Sequence, residues 1–164
     1  MTAELHRPLA VERVGAAGVD FVVEATPAEC SALAVRMQLP EVHSLACRFH
    51  LEQEAGDSVI ARGHLIAQVV QTCVISLEDF ATTVEERFVV RFVPTGQESD
   101  DPDPEALDEI PYIDGVLELG EAAAEQLALA LDPYPRAPDA ILPQSEDAAS
   151  PHPFAGLSAL KRPN

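Results

Sequence analysis

Three strand-length runs follow one another in the middle of this chain with only short connections between them. Residues 45–54 alternate strictly, with Leu45, Cys47, Phe49 and Leu51 on one side and Ala46, Arg48, His50 and Glu52 on the other. That is the pattern of a strand with one dry and one wet face. Residues 59–74 are long enough for a second strand, expected to break or bulge near Gly63. Residues 84–93 make a third, with Phe88, Val90 and Phe92 on one face and Arg87, Val89, Arg91 and Val93 on the other. Gly56, Asp57 and Ser58 supply turn chemistry between the first two. Strands joined by short turns pair antiparallel.

Helices are expected before and after these strands. Thr26, Pro27 and Glu29 together carry a cap, a first-turn proline and a capping box. The helix they open should bury Ala28, Ala32, Val35 and Leu39 and end at Pro40. A second helix is expected over 119–131, with Ala123, Leu127, Ala130 and Leu131 as its apolar face. Phe21 to Val23 form a short strand, placed against residues 9–14. The fold class expected is α+β: an antiparallel sheet of five to seven strands with two packed helices. Closure into a barrel is one way such a sheet hides its edges.

The 164 residues fit one domain, 1–139, followed by a Pro- and acid-rich tail, 140–164. A chain of this size can bury a core without disulfides or a metal. Its three cysteines, Cys30, Cys47 and Cys73, form no CxxC pair, which suits a reducing compartment. The first residues lack an apolar signal core and no apolar run is long enough to cross a bilayer, so the expected location is the cytoplasm, with no membrane partner.

Charge narrows the partners. Ten basic residues, one of them a lysine, face 28 acidic ones, for a formal net charge of −18. A broad phosphate-binding surface is excluded on that balance, and DNA with it. An acidic surface favours basic partners, although it also serves solubility alone. Four arginines lie in expected strands: Arg48, Arg62, Arg87 and Arg91. They either form a local patch that meets RNA phosphates or pair across strands with Glu52, Glu54, Glu85 and Glu86. Residues 95–109 carry seven carboxylates and no base, including Asp100, Asp101, Asp103, Glu105, Asp108 and Glu109. With Pro102 and Pro104 they describe a mobile loop, either a solvated spacer or a polyanion that holds a basic protein. In the tail, Phe154, Leu157 and Leu160 form a small apolar cluster that either frays or docks.

Catalytic patterns are weak. The five histidines show neither HxH nor HExxH spacing. His50 and His64 could meet across neighbouring strands with Glu52 nearby, and Cys73 could act as a thiol nucleophile. Solvated strand-face histidines and a buried strand cysteine are the plainer readings of the same residues. There is no phosphate loop, dinucleotide glycine pattern or serine elbow. The reading is of a protein that is not an enzyme and needs no cofactor or metal. The alternatives are a hydrolytic or RNA-processing enzyme built on His50, His64 and Cys73, and a structural adaptor docking through its tail.

One stretch adds a resemblance. Gly63 to Glu78, containing the run Gln68-Val69-Val70-Gln71-Thr72-Cys73-Val74, is similar to the central signature of the bacterial YceD family, the large ribosomal RNA subunit accumulation proteins. Phe88 to Pro94, Ile113 to Glu121, Glu125 to Pro138 and Pro153 to Lys161 resemble the family's later landmarks, in order. The resemblance implies a role in synthesis, processing or accumulation of 23S ribosomal RNA, with a large-subunit precursor, ribosomal RNA or a basic ribosomal protein as partner. It implies no enzymatic activity. Some relatives carry a CxxC at the signature and further cysteines after the late helix, as in a metal site. Here Val70 stands at the partner position of Cys73, and residues 133–140 contain no cysteine. A lone thiolate cannot supply the four ligands of structural zinc.

Overall fold

The computed structural model describes residues 4–100 and 103–142. The chain runs β1 (Pro8–Ala10), β2 (Val19–Glu24), α1 (Pro27–Met37), β3 (Glu41–Gln53), β4 (Val59–Thr72), β5 (Asp79–Pro94), β6 (Asp108–Tyr112), β7 (Val116–Glu118) and α2 (Leu119–Ala130), with two short 3-10 turns. The fold class is α+β, as the patterning implies. A five-stranded sheet has the order β2-β3-β4-β5-β6, and a small two-stranded sheet pairs β1 with β7. The large sheet stays open between β2 and β6, so no barrel closes.

Three pairings differ from the sequence expectation. β6 runs parallel to β5, with Val90 opposite Asp108 and Pro94 opposite Tyr112. The chain leaves β5 and returns across the length of that ladder through residues 95–107, a long-range step that local patterning does not encode. Residues 9–14 do not pair with β2: Leu9 lies opposite Leu117, while β2 pairs with β3. The third difference concerns the bulge. It falls between Val42 and Ser44 in β3, not near Gly63. His43 is the extra residue there, which is why Val42 and Leu45 are both buried although three positions apart.

Gly63 pairs without interruption, opposite Phe49 on one side and Phe88 on the other. A Cβ there would stand 2.1 Å from the Phe88 ring. The ring lies across the glycine and meets Phe49 edge-on at 5.7 Å. A glycine inside a strand is weak by itself, and the aromatic cover compensates.

The capping box of α1 forms as expected: Glu29 N–H donates to Thr26 Oγ1, and the Glu29 carboxylate accepts from the Thr26 N–H. Its buried stripe is a different one. Cys30, Leu33 and Ala34 face the core, whereas Val35 is 81% exposed. Both stripes have helical spacing, and the position of β3 beneath the helix selects between them. α2 buries Leu119, Gly120, Ala122, Ala123, Ala124, Gln126 and Leu127, a wider face than expected. Its small residues let the helix lie close to its neighbours. Ala130 and Leu131 are only half-buried.

The inner face of the sheet, both helices and β1 share one apolar core. Leu45, Phe49, Leu51, Leu65 and Phe92 come from the sheet, Leu33 and Leu127 from the helices. Among the described residues, no helix lies against the outer face.

Candidate functional site: an arginine trough on the open sheet face

The in-register pairing of β2 to β5 sets three parallel rows of residues across the open face. One row is Val22, Arg48, His64 and Arg87; the next is Phe21, Phe49, Gly63 and Phe88; the third is Asp20, His50, Arg62 and Val89. Strand pairing alternates side chains between faces, so the outer rows project outwards while the middle row turns its side chains to the core. The middle row becomes the backbone floor of a trough of about 620 Å³. Exposed Val22 and Val89 give its two walls an apolar edge.

The trough gathers three of the four candidate arginines, and they differ in state. Arg62 is bound to Glu52 across the strand pair. Arg48 and Arg87 make no hydrogen bond or ion pair with any described residue. They flank His64 on the two neighbouring strands, roughly 10 Å apart by strand spacing. The fourth, Arg91, lies at the far end of β5, held by Glu54 at 2.8 Å and facing Glu109 at 3.6 Å. Cross-strand pairing thus accounts for Arg62 and Arg91, and leaves Arg48 and Arg87 free among the described residues.

Both histidines are held by carboxylates. His50 Nδ1 is 2.6 Å from Asp20 Oδ1, and its Nε2 is 3.6 Å from Glu52. The Asp20 contact, aided by Glu52, raises the His50 pKa above the ordinary imidazole value. His64 Nε2 is 2.7 Å from Glu85. Arg62 in turn pulls the Glu52 carboxyl below its usual range. The two histidines are diagonal neighbours, about 7–8 Å apart between Cα atoms.

Cys73 is not part of this site. It follows the end of β4, nine positions beyond His64, a distance of about 30 Å along an extended strand. Its sulfur is fully buried and accepts hydrogen bonds from the Ile75 and Ser76 N–H groups, each at 3.4 Å. Contacts from the Ser76 hydroxyl and the Ala137 N–H join them, and together they lower its pKa to about 7. By contrast, burial pushes the Cys47 thiol up to about 12. The surroundings of Cys73 do not fit a metal ion: its neighbours are a serine and backbone amides that donate to the sulfur, and Val70 stands on the opposite face of β4.

Described residues of the acidic segment join the sheet or accept local hydrogen bonds. Asp108 and Glu109 belong to β6. Glu109 accepts from the Ser99 N–H at 2.6 Å, Glu98 from the Gly96 N–H, and Asp103 from the Glu105 N–H. Asp100 and Glu105 remain exposed. Asp101 lies outside the described residues, as do Phe154, Leu157 and Leu160.

A second concavity escaped the sequence reading. It lies between β6 and the start of α2, where Glu118, Glu121 and Glu125 line one side. Their spacing of three and four is the signal that could have revealed it: Glu121 and Glu125 share one helical stripe, and Glu118 precedes them at the N-cap.

An open five-stranded sheet backed by two helices, with arginines on its bare face, defines an α+β domain. The family model for the large ribosomal RNA subunit accumulation protein YceD matches residues 61–161, more than half of the chain, and the chain belongs to that family. The match spans β4, β5, β6, β7 and α2, and with them Arg62, His64 and Arg87 of the trough. Neither a curated protein nor a solved structure matches the chain. Family membership places the protein in ribosome biogenesis, in the accumulation of large-subunit RNA. No helix among the described residues is long and apolar enough to cross a membrane.

Proposed function

We propose that this chain is a non-catalytic assembly factor that supports 23S ribosomal RNA by contacting precursor RNA through the arginine trough. The observation that carries the reading is the row Arg48-His64-Arg87, in which two guanidinium groups without carboxylate partners among the described residues face outwards from the strands on either side of β4. A guanidinium meets a phosphate with two parallel charge-assisted bonds. The formal charge of −18 restricts such contact to a local one. One or two phosphates held over the trough satisfy both facts. Single-stranded or looped RNA fits best, because bases splayed from the backbone can lie against Val22 and Val89.

Catalysis has less support. No serine, cysteine or lysine lines the trough beside its histidines, and the one thiol with a lowered pKa is buried at the other end of β4. A histidine pair and a thiol separated along one strand cannot share a reacting atom.

Cells lacking the gene, complemented with R48E/R87E, test the proposal. The expected result is a deficit of 23S RNA and of large subunits despite normal protein levels. In vitro, the wild-type affinity for a single-stranded RNA should fall with salt at a logarithmic slope of about −0.7 to −1.4, the value for one or two phosphates. Normal 23S levels in the doubly substituted strain, with an unchanged salt slope, would sink the idea.

A further inference from the structure

The groove between β6 and α2 differs from the trough in every respect. Its volume is about 450 Å³, and its floor is apolar: Phe92, Ile110, Tyr112, Val116 and Ala122. Ile113 stands at its rim, 66% exposed. The charged residues of the lining are Glu109, Glu118, Glu121 and Glu125, with no basic residue among them. β6 is an edge strand of the large sheet, so no further strand among the described residues pairs with this side of it.

The four carboxylates are unequally satisfied. Glu121 is bound by Arg36 at 2.6 Å and 3.0 Å, from outside the lining. Glu109 accepts from Ser99 N–H. Glu125 is exposed at the rim and has no hydrogen-bond partner among the described residues; partial desolvation and the neighbouring charge of Glu121 raise its pKa against the opposing pull of Arg36. Glu118 has one oxygen that is buried and lacks a hydrogen-bond donor. The His6 ring nitrogen stands 3.0 Å from that oxygen, an ion pair when the exposed imidazole is protonated but not a hydrogen bond in its geometry. Four carboxylates around an apolar floor, with no lysine or arginine in the lining, suit a cation that also brings apolar surface.

We infer that this groove receives a lysine- or arginine-rich segment of a partner protein, seated by an aliphatic or aromatic anchor residue. Charge complementarity selects the occupant. A polyanion is repelled by the four glutamates, and a purely apolar segment would leave Glu118 and Glu125 as they are. The apolar floor buries the anchor, and the cationic side chains beside it reach the carboxylates. Long basic side chains suit this arrangement, because their methylene stems cover apolar surface while the charge stays at the rim. This inference goes beyond the RNA reading and concerns a different face, so either can fail without the other.

The test uses the full chain and a fluorescent synthetic peptide of alternating lysine and leucine, followed by polarisation. The expected result is salt-sensitive binding that weakens at least about tenfold in E118Q/E125Q, the equivalent of ~1.4 kcal/mol. I113S should weaken it as well. A charge-matched control, E78Q/E86Q, removes two exposed carboxylates elsewhere and should bind like wild type. Equal loss in both double variants would mean non-specific attraction to an acidic protein, and would overturn the inference. Unchanged affinity in E118Q/E125Q would overturn it too. So would a peptide that binds only after Phe154, Leu157 and Leu160 are replaced by serine, because the occupant would then be the chain's own tail.

Discussion

The two concavities are built from different kinds of structure. The trough rests on long antiparallel strands whose register fixes every neighbour, and its charges are nearly balanced within the site. The groove rests on a five-residue parallel edge strand and the first turns of a helix, and its charge is one-sided. Long ladders hold a surface in place by many repeated pairings. The groove depends on a few tertiary contacts, chiefly the N-terminal segment that passes beneath α2. There Leu119 N–H donates to Arg7 C=O, and Leu5 is fully buried. Perturbations of that segment should therefore disturb the groove first and the trough last.

Paired glycine substitutions break the comparison most sharply. A Cβ on Gly120 would stand 2.1 Å from the Leu5 carbonyl oxygen and 2.8 Å from its carbon, both backbone atoms. Neither can rotate away, so helix and segment must separate. Gly120→Ala should cost about 3 kcal/mol or more. Gly63→Ala meets a side-chain ring, which can swing aside, and should cost about 1–3 kcal/mol. Urea unfolding gives both values. Amide exchange gives the location: G120A should expose Leu5 to Ala10 and α2 while β3 to β5 stay protected. If G63A proves the costlier change, the groove is not the weaker construction.

Acid sharpens the same contrast. Arg7 clamps Glu29 with two bonds, at 2.8 Å and 2.9 Å, and also donates to the Glu24 carbonyl, tying the N-terminal segment to α1. Hydrogen bonds from Arg7 and from the Thr26 N–H lower the Glu29 pKa to about 2. A depressed carboxyl pKa adds stability above the unfolded value of about 4.5, and that stability is lost as pH falls towards 2. Glu29→Gln should reduce stability at neutral pH by about 1–2 kcal/mol. It should also flatten the acid dependence between pH 4.5 and 2. An unchanged acid profile in E29Q would show that the clamp contributes nothing to folding.

How much of this was legible beforehand follows the same division. β3, β4 and β5 announce themselves through alternation, and the arginines on their wet faces were identifiable residue by residue. Register was not, and a slip of one position would have sent Arg62 and His64 to the core face. The bulge at His43 was hidden because Val42 and Leu45 belong to one face only once the extra residue is known. For α1, two stripes of equal periodicity competed, and only the strand beneath it decides between Val35 and Leu33. The parallel return of β6 depends on contact between residues far apart in the chain. The groove it creates was invisible for that reason, although the spacing of Glu118, Glu121 and Glu125 was present in plain text.

The smallest expected effect lies within the trough, at His50. Asp20 raises its pKa, so the imidazolium is favoured in the folded chain. The contribution to stability is complete below the unfolded imidazole pKa and disappears as pH rises through the folded one. The ring is exposed, so this contribution is small. Its electrostatic consequence is more useful: below that transition the wall of Asp20, His50 and Arg62 carries one more positive charge than above it. RNA affinity should fall modestly as pH rises through the His50 transition, and R48E/R87E should lose the affinity at every pH. Asp20→Asn removes the contact that raises the pKa, so the His50 resonances followed by NMR should titrate at lower pH. Affinity should then begin to decline at lower pH as well, while peptide binding at the β6–α2 groove keeps its wild-type pH profile. A shift in both profiles together would mean that the two sites are not independent, and that the contrast drawn between them is wrong.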